Sequence, residues 1–261
     1  MKNNSSKPWS LEGKKALITG ATKGIGRAIV DEFVLLGAEV FLVARTAQDV
    51  QRCVEQYRRD GFQAYGMAAD VSDRAQLLQL KSKLLETWGS LDILVNNAGI
   101  NIRKSTLEYT SEDYQQIMDV NLTSAWELCR LFYPLLKSNE TGGSIINMSS
   151  VASLRTIRTS TAAYAMTKAA MEQMTKFMAA EWGPDNVRVN AVLPWYIATP
   201  LAQQVLKDEN KRKKIIARTP MQRVGEPAEV ARTVAFLAMP ASSYVSGACV
   251  PVDGAFLTLG L

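Results

Sequence analysis

Histidine is absent from all 261 residues. Without an imidazole there is no Ser-His-Asp or Cys-His relay and little zinc or iron chemistry, so proton transfer falls to tyrosine, lysine and the carboxylates. Cysteine is sparse: Cys53, Cys129 and Cys249 lie far apart with no C-x-x-C pair. That argues against a disulfide framework or a metal site and fits a reducing cytoplasm. Long hydrophobic runs are missing as well. The longest apolar windows, Ile93 to Val95 and Val230 to Met239, are too short or too interrupted to span a bilayer, and residues 1–10 are polar with no apolar signal core. The expectation is a soluble, unexported, cytoplasmic protein with no membrane partner. The net charge is +5, yet the basic residues are scattered apart from Lys211-Arg212-Lys213-Lys214, which stands beside Asp208 and Glu209 in a helix-like stretch. It reads as a solvated helix face, not as a nucleic-acid site.

What is present is enough apolar material, 47% of residues, for a substantial core in one domain. Strand-like runs at Ala16–Thr19, Val40–Ala44, Ala64–Ala68, Ile93–Asn96, Ser144–Met148, Arg188–Leu193 and Cys249–Val252 alternate with amphipathic helical stretches. Such alternation predicts a doubly wound parallel α/β sheet of about seven strands with helices on both faces. The predicted organisation is a flexible N-terminal segment, residues 1–10, then a single domain, residues 11–261. Residues 195–219, which mix small, polar and apolar types without a strand signal, form a lid.

Two local patterns carry chemistry. After the first apolar run, Gly20-Ala21-Thr22-Lys23-Gly24-Ile25-Gly26 leads into a helical pattern, the order of strand, glycine turn and helix that brings a pyrophosphate to a helix N-terminus. Far downstream, Tyr164-Ala165-Met166-Thr167-Lys168 puts a phenol and an ammonium on one helical face, at i and i+4. A nearby cation lowers a phenol's pKa and suits it to proton exchange. Other marked residues fall at strand ends: Arg45 after the second, Asp70 after the third, Asn96-Asn97 after the fourth, Ser149-Ser150 after the fifth and Pro194 at the sixth. In an open parallel sheet that rim is where ligands gather.

The G-x-x-x-G-x-G spacing, with Thr19 before it and Tyr164 and Lys168 after it, resembles the short-chain dehydrogenase/reductase family of the single-domain kind. Asp70-Val71, Asn96-Asn97-Ala98-Gly99, Asn121, Ser149-Ser150, Val187-Arg188-Val189-Asn190, Thr199-Pro200 and Val252-Asp253-Gly254 match in order. The resemblance runs from Leu11 to Leu261 and is nearest the tropinone-reductase-like branch, judging by Arg218 to Pro227 and Pro240 to Gly247. It implies a Rossmann fold and hydride exchange between a nicotinamide cofactor and a carbonyl or alcohol. Tyr164 is then acid and base, Ser150 holds the substrate oxygen, Lys168 tunes the phenol and holds the nicotinamide ribose, and Asn121 holds a water linking Lys168 to solvent. Ser149 is the rival of Ser150, and strand alternation lets only one of them face the site.

The same resemblance assigns the cofactor contacts. Gly20, Thr22, Gly24, Ile25 and Gly26 cradle the phosphates, Asp70 and Val71 the adenine, Asn97, Ala98 and Gly99 the ribose floor. Pro194, Ile197 and Thr199 lie by the nicotinamide. An enzyme that prefers NAD places a carboxylate after the second strand, where this chain has Ala44 followed by Arg45. With Lys23 in the glycine loop, two cations flank a 2′-phosphate and no carboxylate opposes it, so the expected cofactor is NADP(H).

Three departures from the family pattern bear on the substrate. The interval from Ser150 to Tyr164 is about one residue longer than usual, the extra length lying between Leu154 and Thr161. Its Arg155 and Arg158 raise an anionic substrate against the plainer reading of solvated side chains. Trp195 stands where glycine is usual, either as an aromatic wall or as an indole turned outward into a lid or subunit contact, and Tyr196 and Met221 are further candidates to face substrate. Ser153 replaces a common glycine. The leading expectation is an NADPH-dependent reductase of a small or cyclic ketone. Reduction of 3-oxoacyl groups on acyl carrier protein, or a non-catalytic cofactor-binding sensor or scaffold, are the alternatives. Helices around Tyr114 to Lys137 and Thr167 to Trp182 carry Leu122, Trp126, Leu131, Phe132, Met171, Met174, Phe177 and Met178, which points to a homodimer or homotetramer.

Overall fold

A computed structural model describes residues 7–139, 141–158 and 160–259. Seven parallel strands form one sheet: β1 (Lys15–Thr19), β2 (Glu39–Ala44), β3 (Ala64–Ala68), β4 (Ile93–Asn96), β5 (Gly143–Met148), β6 (Val187–Pro194) and β7 (Cys249–Val252). They lie side by side in the order β3-β2-β1-β4-β5-β6-β7. The chain therefore reverses direction across the sheet between β1 and β4, the point at which a crevice opens beyond the strand ends.

Strand alternation sorts the apolar side chains to two faces. Ile18, Val40, Leu42, Val95 and Ile146 point into one buried cluster, with Ile29 and Phe33 of helix α1 (Gly24–Leu35), Tyr57 of α2 (Ala47–Arg59) and Val234 of α9 (Pro227–Ala238). Leu17, Phe41, Leu94 and Ile145, one residue out of step, point into the other. There they meet Leu80 of α3 (Arg74–Trp88), Phe132 of α5 (Ser124–Lys137) and Met178 of α6 (Ala162–Trp182). Covering both faces explains why the strands read as continuous apolar runs.

The predicted single helix around Tyr114 to Lys137 is interrupted. α4 (Ser111–Met118) passes into a π turn at Asp119–Thr123 before α5 begins. The extra residue in that turn rotates Asn121 into the interior, where it is wholly buried. Of the apolar residues expected on the outer faces of these helices, Phe132, Met171 and Met178 are core, whereas Trp126 and Phe177 are exposed.

Residues 195–219 hold two short helices, α7 (Pro200–Leu206) and α8 (Glu209–Ala217), with a small core of their own around Val205, Leu206 and Ile215. At the N-terminal side, Trp9 stacks on Phe236 and the Pro8 carbonyl accepts from the Ala241 N–H, so residues 8 and 9 are docked on α9 and the turn after it. Residues 1–6 of the segment expected to be flexible lie outside the described residues, as do Thr159 of the lengthened loop and the last two residues of the domain.

Candidate active site

A cavity of about 450 Å³ runs along the carboxyl ends of the strands, across the β1/β4 reversal. Its walls include Gly20, Thr22, Lys23, Gly24, Ile25, Gly26, Arg45, Asp70, Val71, Asn97, Ala98, Gly99, Ser150, Tyr164, Lys168, Pro194, Trp195, Tyr196, Ile197 and Thr199.

At one end the glycine turn is closed against the β4 loop. Gly20 and Gly24 take φ of 63° and 57°, which glycine adopts without penalty. A Cβ on Gly26 would lie 2.2 Å from the Gly20 carbonyl oxygen, so no larger residue fits between turn and helix. Asn97 Nδ2 donates to the Thr19 carbonyl at 2.9 Å, and Thr19 Oγ1 accepts from the Asn97 and Ala98 N–H groups at 3.0 and 3.1 Å. α1 starts with no side-chain cap, so its first N–H groups face the cavity mouth with the helix's positive end. These features fit a dinucleotide pyrophosphate.

The charges at this mouth correct one expectation. Arg45 lines the cavity as read from sequence, but so does Asp49, in the first turn of α2. Its carboxylate pairs with Lys23 Nζ at 2.8 Å and with Arg52 at 2.7 Å. A carboxylate therefore stands among the cations at this mouth, and Lys23 is paired with it. The hydrogen bond from Lys23 holds the Asp49 carboxyl below the usual carboxylate range.

At the other end α6 starts on Thr161, whose Oγ1 accepts from the Tyr164 N–H at 3.4 Å. One turn on, Lys168 is buried and its Nζ donates to the Met148 carbonyl at 2.7 Å. Burial pushes that ammonium down to about 8. Tyr164 shares a hydrogen bond with Ser150. Both serines line the cavity, but the Ser149 hydroxyl is engaged by the Lys168 carbonyl at 3.0 Å and Glu172 at 2.9 Å, whereas Ser150 bonds to Tyr164. Asn121 Oδ1 accepts from the Ile100 N–H at 2.8 Å and its Nδ2 donates to the Ile100 carbonyl at 2.9 Å. A side chain on Gly99 would meet Asn121 Oδ1 at 3.4 Å and Lys168 Nζ at 3.8 Å, so Gly99 keeps open the space between them.

Burial dominates the phenol's electrostatics. Burial raises the Tyr164 pKa; the bond to Ser150 and the charge of Arg103 act downwards, and Tyr196 acts upwards. Lys168 Nζ stands 5.6 Å from the ring centroid and donates one of its three protons to the Met148 carbonyl.

The substrate side departs furthest from the sequence reading. Arg158 and Arg155 are exposed and line no part of the cavity, and Met221 is also exposed and outside it. A cation that was not singled out does line it: Arg103, four residues past Gly99. The signal available in the sequence was its position in the loop leaving a rim strand. Trp195 forms the aromatic wall: it stacks on Phe256 at 3.7 Å and 9°, meets Tyr196 edge-on at 4.8 Å, and donates through Nε1 to Thr219 Oγ1 at 3.0 Å. The indole thereby ties the lid to the C-terminal segment.

A family model described as enoyl-(acyl carrier protein) reductase matches residues 20–256. A chloroplastic tropinone reductase homolog of Arabidopsis thaliana is 44% identical over 253 residues, 96% of this chain and 77% of that one. Among solved structures, a gluconate 5-dehydrogenase from Burkholderia cenocepacia in complex with NADP and tartrate superposes with a TM-score of 0.92 at 31% identity, covering 97% of this chain and 98% of the other. A 3-oxoacyl-[acyl-carrier protein] reductase from Brucella melitensis with bound NAD gives 0.86 at 36% identity, covering 94% and 92%. The chain belongs to the short-chain dehydrogenase/reductase family. It is thus an oxidoreductase by family, built to act between a CH–OH group and a carbonyl. Among the described residues no helix is long and apolar enough to cross a membrane, and no group of acidic residues and cysteines could hold a metal.

Proposed function

We propose that the protein is an NADPH-dependent carbonyl reductase, reversible to alcohol oxidation, working on a small or cyclic ketone. The observation that carries this is a single cavity with Ser150, Tyr164 and Lys168 at one end and the glycine turn with Arg45 at the other. Arg45 and Lys23 would hold the 2′-phosphate, Asp70 and Val71 the adenine, and Asn97, Ala98 and Gly99 the ribose floor. Pro194, Ile197 and Thr199 would hold the carboxamide end. Thr199 Oγ1 accepts from the Ala202 N–H at 3.2 Å, which leaves its proton to donate.

The bound nicotinamide supplies the hydride. The protein's own residues orient and protonate. Ser150 donates to the substrate oxygen, which pulls that oxygen against the Tyr164 hydroxyl, and Tyr164 gives up its proton as charge develops there. In oxidation the phenolate takes it back. Lys168 and Asn121, either side of the space at Gly99, form the path by which the phenol is reprotonated from solvent. Lys168 also binds the ribose hydroxyls.

NADP binding in several relatives, including the tartrate complex, supports the cofactor, while NAD in another marks the choice as one to measure. A homotetramer or homodimer, using the exposed Trp126 and Phe177, and a cytoplasmic location complete the proposal. Light scattering at micromolar concentration tests the first; a monomer would reject it. The chemistry is tested by NADPH oxidation at 340 nm with ketones, the Tyr164→Phe variant serving as the blank.

A further inference from the structure

The charges lining the cavity are divided by sign. Asp49 and Asp70, its carboxylates among the described residues, both lie beyond β2 and β3, at the end far from Tyr164. At the end with Ser150 and Tyr164 the charged residues are Arg103 and Lys168, and Lys168 is buried with its ammonium on the Met148 carbonyl. Arg103 is therefore the cation presented to whatever occupies the space before Tyr164.

It is presented from a stiff loop. The Ile100 amide is bracketed by the two hydrogen bonds of Asn121. Thr161, the residue that starts the helix carrying Tyr164, donates to Asn101 Oδ1 at 3.1 Å and is met by the Tyr109 hydroxyl at 3.0 Å, while Tyr109 also donates to the Ile102 carbonyl. The loop on either side of Arg103 is thus fastened to the same helix end as the phenol, which fixes the Arg103 backbone relative to the reacting oxygen. From the other side Arg103 Nη1 donates to Gln204 Oε1 of α7 at 2.5 Å, so the guanidinium also bridges to the lid.

We propose that the carbonyl substrate carries a carboxylate and that Arg103 receives it, with Gln204 holding the guanidinium in place from the lid. A guanidinium fork matches a carboxylate in two parallel hydrogen bonds and gives orientation as well as attraction. The carboxylate takes no part in the bond changes; it positions the carbonyl carbon a set distance away. A substrate bearing a protonated amine would meet the Arg103 guanidinium itself, and like charge in a half-enclosed site disfavours it. Arg103 is then a specificity residue of the proposed reaction, on which this inference rests. The influence of Arg103 on the Tyr164 phenol is consistent with that proximity.

The test uses charged and neutral partners of one skeleton: 4-oxopentanoate against its methyl ester, and 4-oxocyclohexanecarboxylate against its methyl ester, each with NADPH followed at 340 nm. The wild type is expected to favour the acids in kcat/KM by tenfold or more. Arg103→Gln is expected to lose that preference through a raised KM with kcat little changed, and Arg103→Lys to keep part of it. Esters equal to or better than acids, or an acid preference that survives Arg103→Gln, would overturn the inference while leaving the reductase reading intact. Tartrate serves as a second probe, added to the NADPH-loaded protein in a thermal melt. It should raise the midpoint of the wild type and not of Arg103→Gln, and equal shifts would again overturn it. Absence of any Tyr164-dependent turnover across all four compounds would instead count against the reductase reading, with the tartrate arm still deciding the role of Arg103.

Discussion

The two ends of the cavity are made in different ways. At the dinucleotide end the surface is mostly backbone: a glycine turn, an uncapped helix start and a loop stitched to it by Thr19 and Asn97, all from residues near strand ends. Its one carboxylate–cation cluster, Asp49 with Lys23 and Arg52, is internally paired. At the substrate end the surface is side chains brought together from distant stretches: Arg103, Trp195 and Tyr196, with Phe256 behind the indole. The first end is fixed by geometry that admits little substitution. The second can change its shape and charge one residue at a time, which suits a fold whose relatives act on different carbonyl compounds.

That contrast can be attacked from both sides. The largest effect should come from Gly26→Ala, whose added methyl group would fall 2.2 Å from the Gly20 oxygen and 2.4 Å from Asn97 Nδ2. Separating turn from helix should cost about 1–3 kcal/mol or more of stability and weaken NADPH binding at least tenfold, read by cofactor fluorescence. Trp195→Ala should instead leave NADPH affinity within about twofold. It removes the stack on Phe256 and the bond to Thr219 at the substrate end, lowers stability by about 2–3 kcal/mol in a urea titration, and lets bulkier ketones in.

Lys168 belongs to neither end's variable surface, and its burial is measurable through pH. Its ammonium, brought from 10.5 to about 8, is protonated in the unfolded chain over an interval where the native chain has released the proton. The folded state therefore carries the full penalty below pH 8 and recovers as pH rises towards 10.5. Between pH 8 and pH 10 the apoprotein should gain about 2 kcal/mol relative to Lys168→Met, measured by urea denaturation of both. A constant difference between the two would place the lysine in contact with water. The smallest effect is expected from Asp49→Asn: with that carboxylate neutralised, NADPH should bind about three- to fivefold tighter and NADH unchanged, in the range of a single solvent-screened charge interaction.

Legibility in the sequence followed the same division. Strand positions were readable to within a residue or two because full burial on both faces leaves uninterrupted apolar runs. Ser150 was chosen over Ser149 on the family resemblance, alternation saying only that one of the two faces the site, and in the structure the Ser149 hydroxyl is engaged by Glu172. The motif residues at the rim were legible because each is fixed by its own strand end. The π turn at Asn121 was not, since its sequence is ordinary helix and only the bonds to Ile100 reveal it. Asp49 was passed over because it sits in a helix, several residues after the strand end where a carboxylate was sought. Arg158 was chosen on loop length and Arg103 was not weighed, yet the lengthened loop turns its arginines to solvent, while the loop after β4 is held to α6 and its Arg103 lines the cavity. Trp195 was noticed as a departure from glycine, but its direction depends on Thr219 and Phe256, contacts made only when the lid and the C-terminal segment close together.

The most direct measurement is NADPH oxidation at 340 nm by wild type and Tyr164→Phe against a ketone panel that includes neutral ketones, keto acids and 3-oxoacyl thioesters, with NADPH binding to both proteins measured alongside. The account predicts turnover by the wild type, a loss of at least about 100-fold in the variant, and equal NADPH affinity. Turnover that survives the loss of the hydroxyl, or NADPH bound by both proteins with no carbonyl reduced, would contradict it.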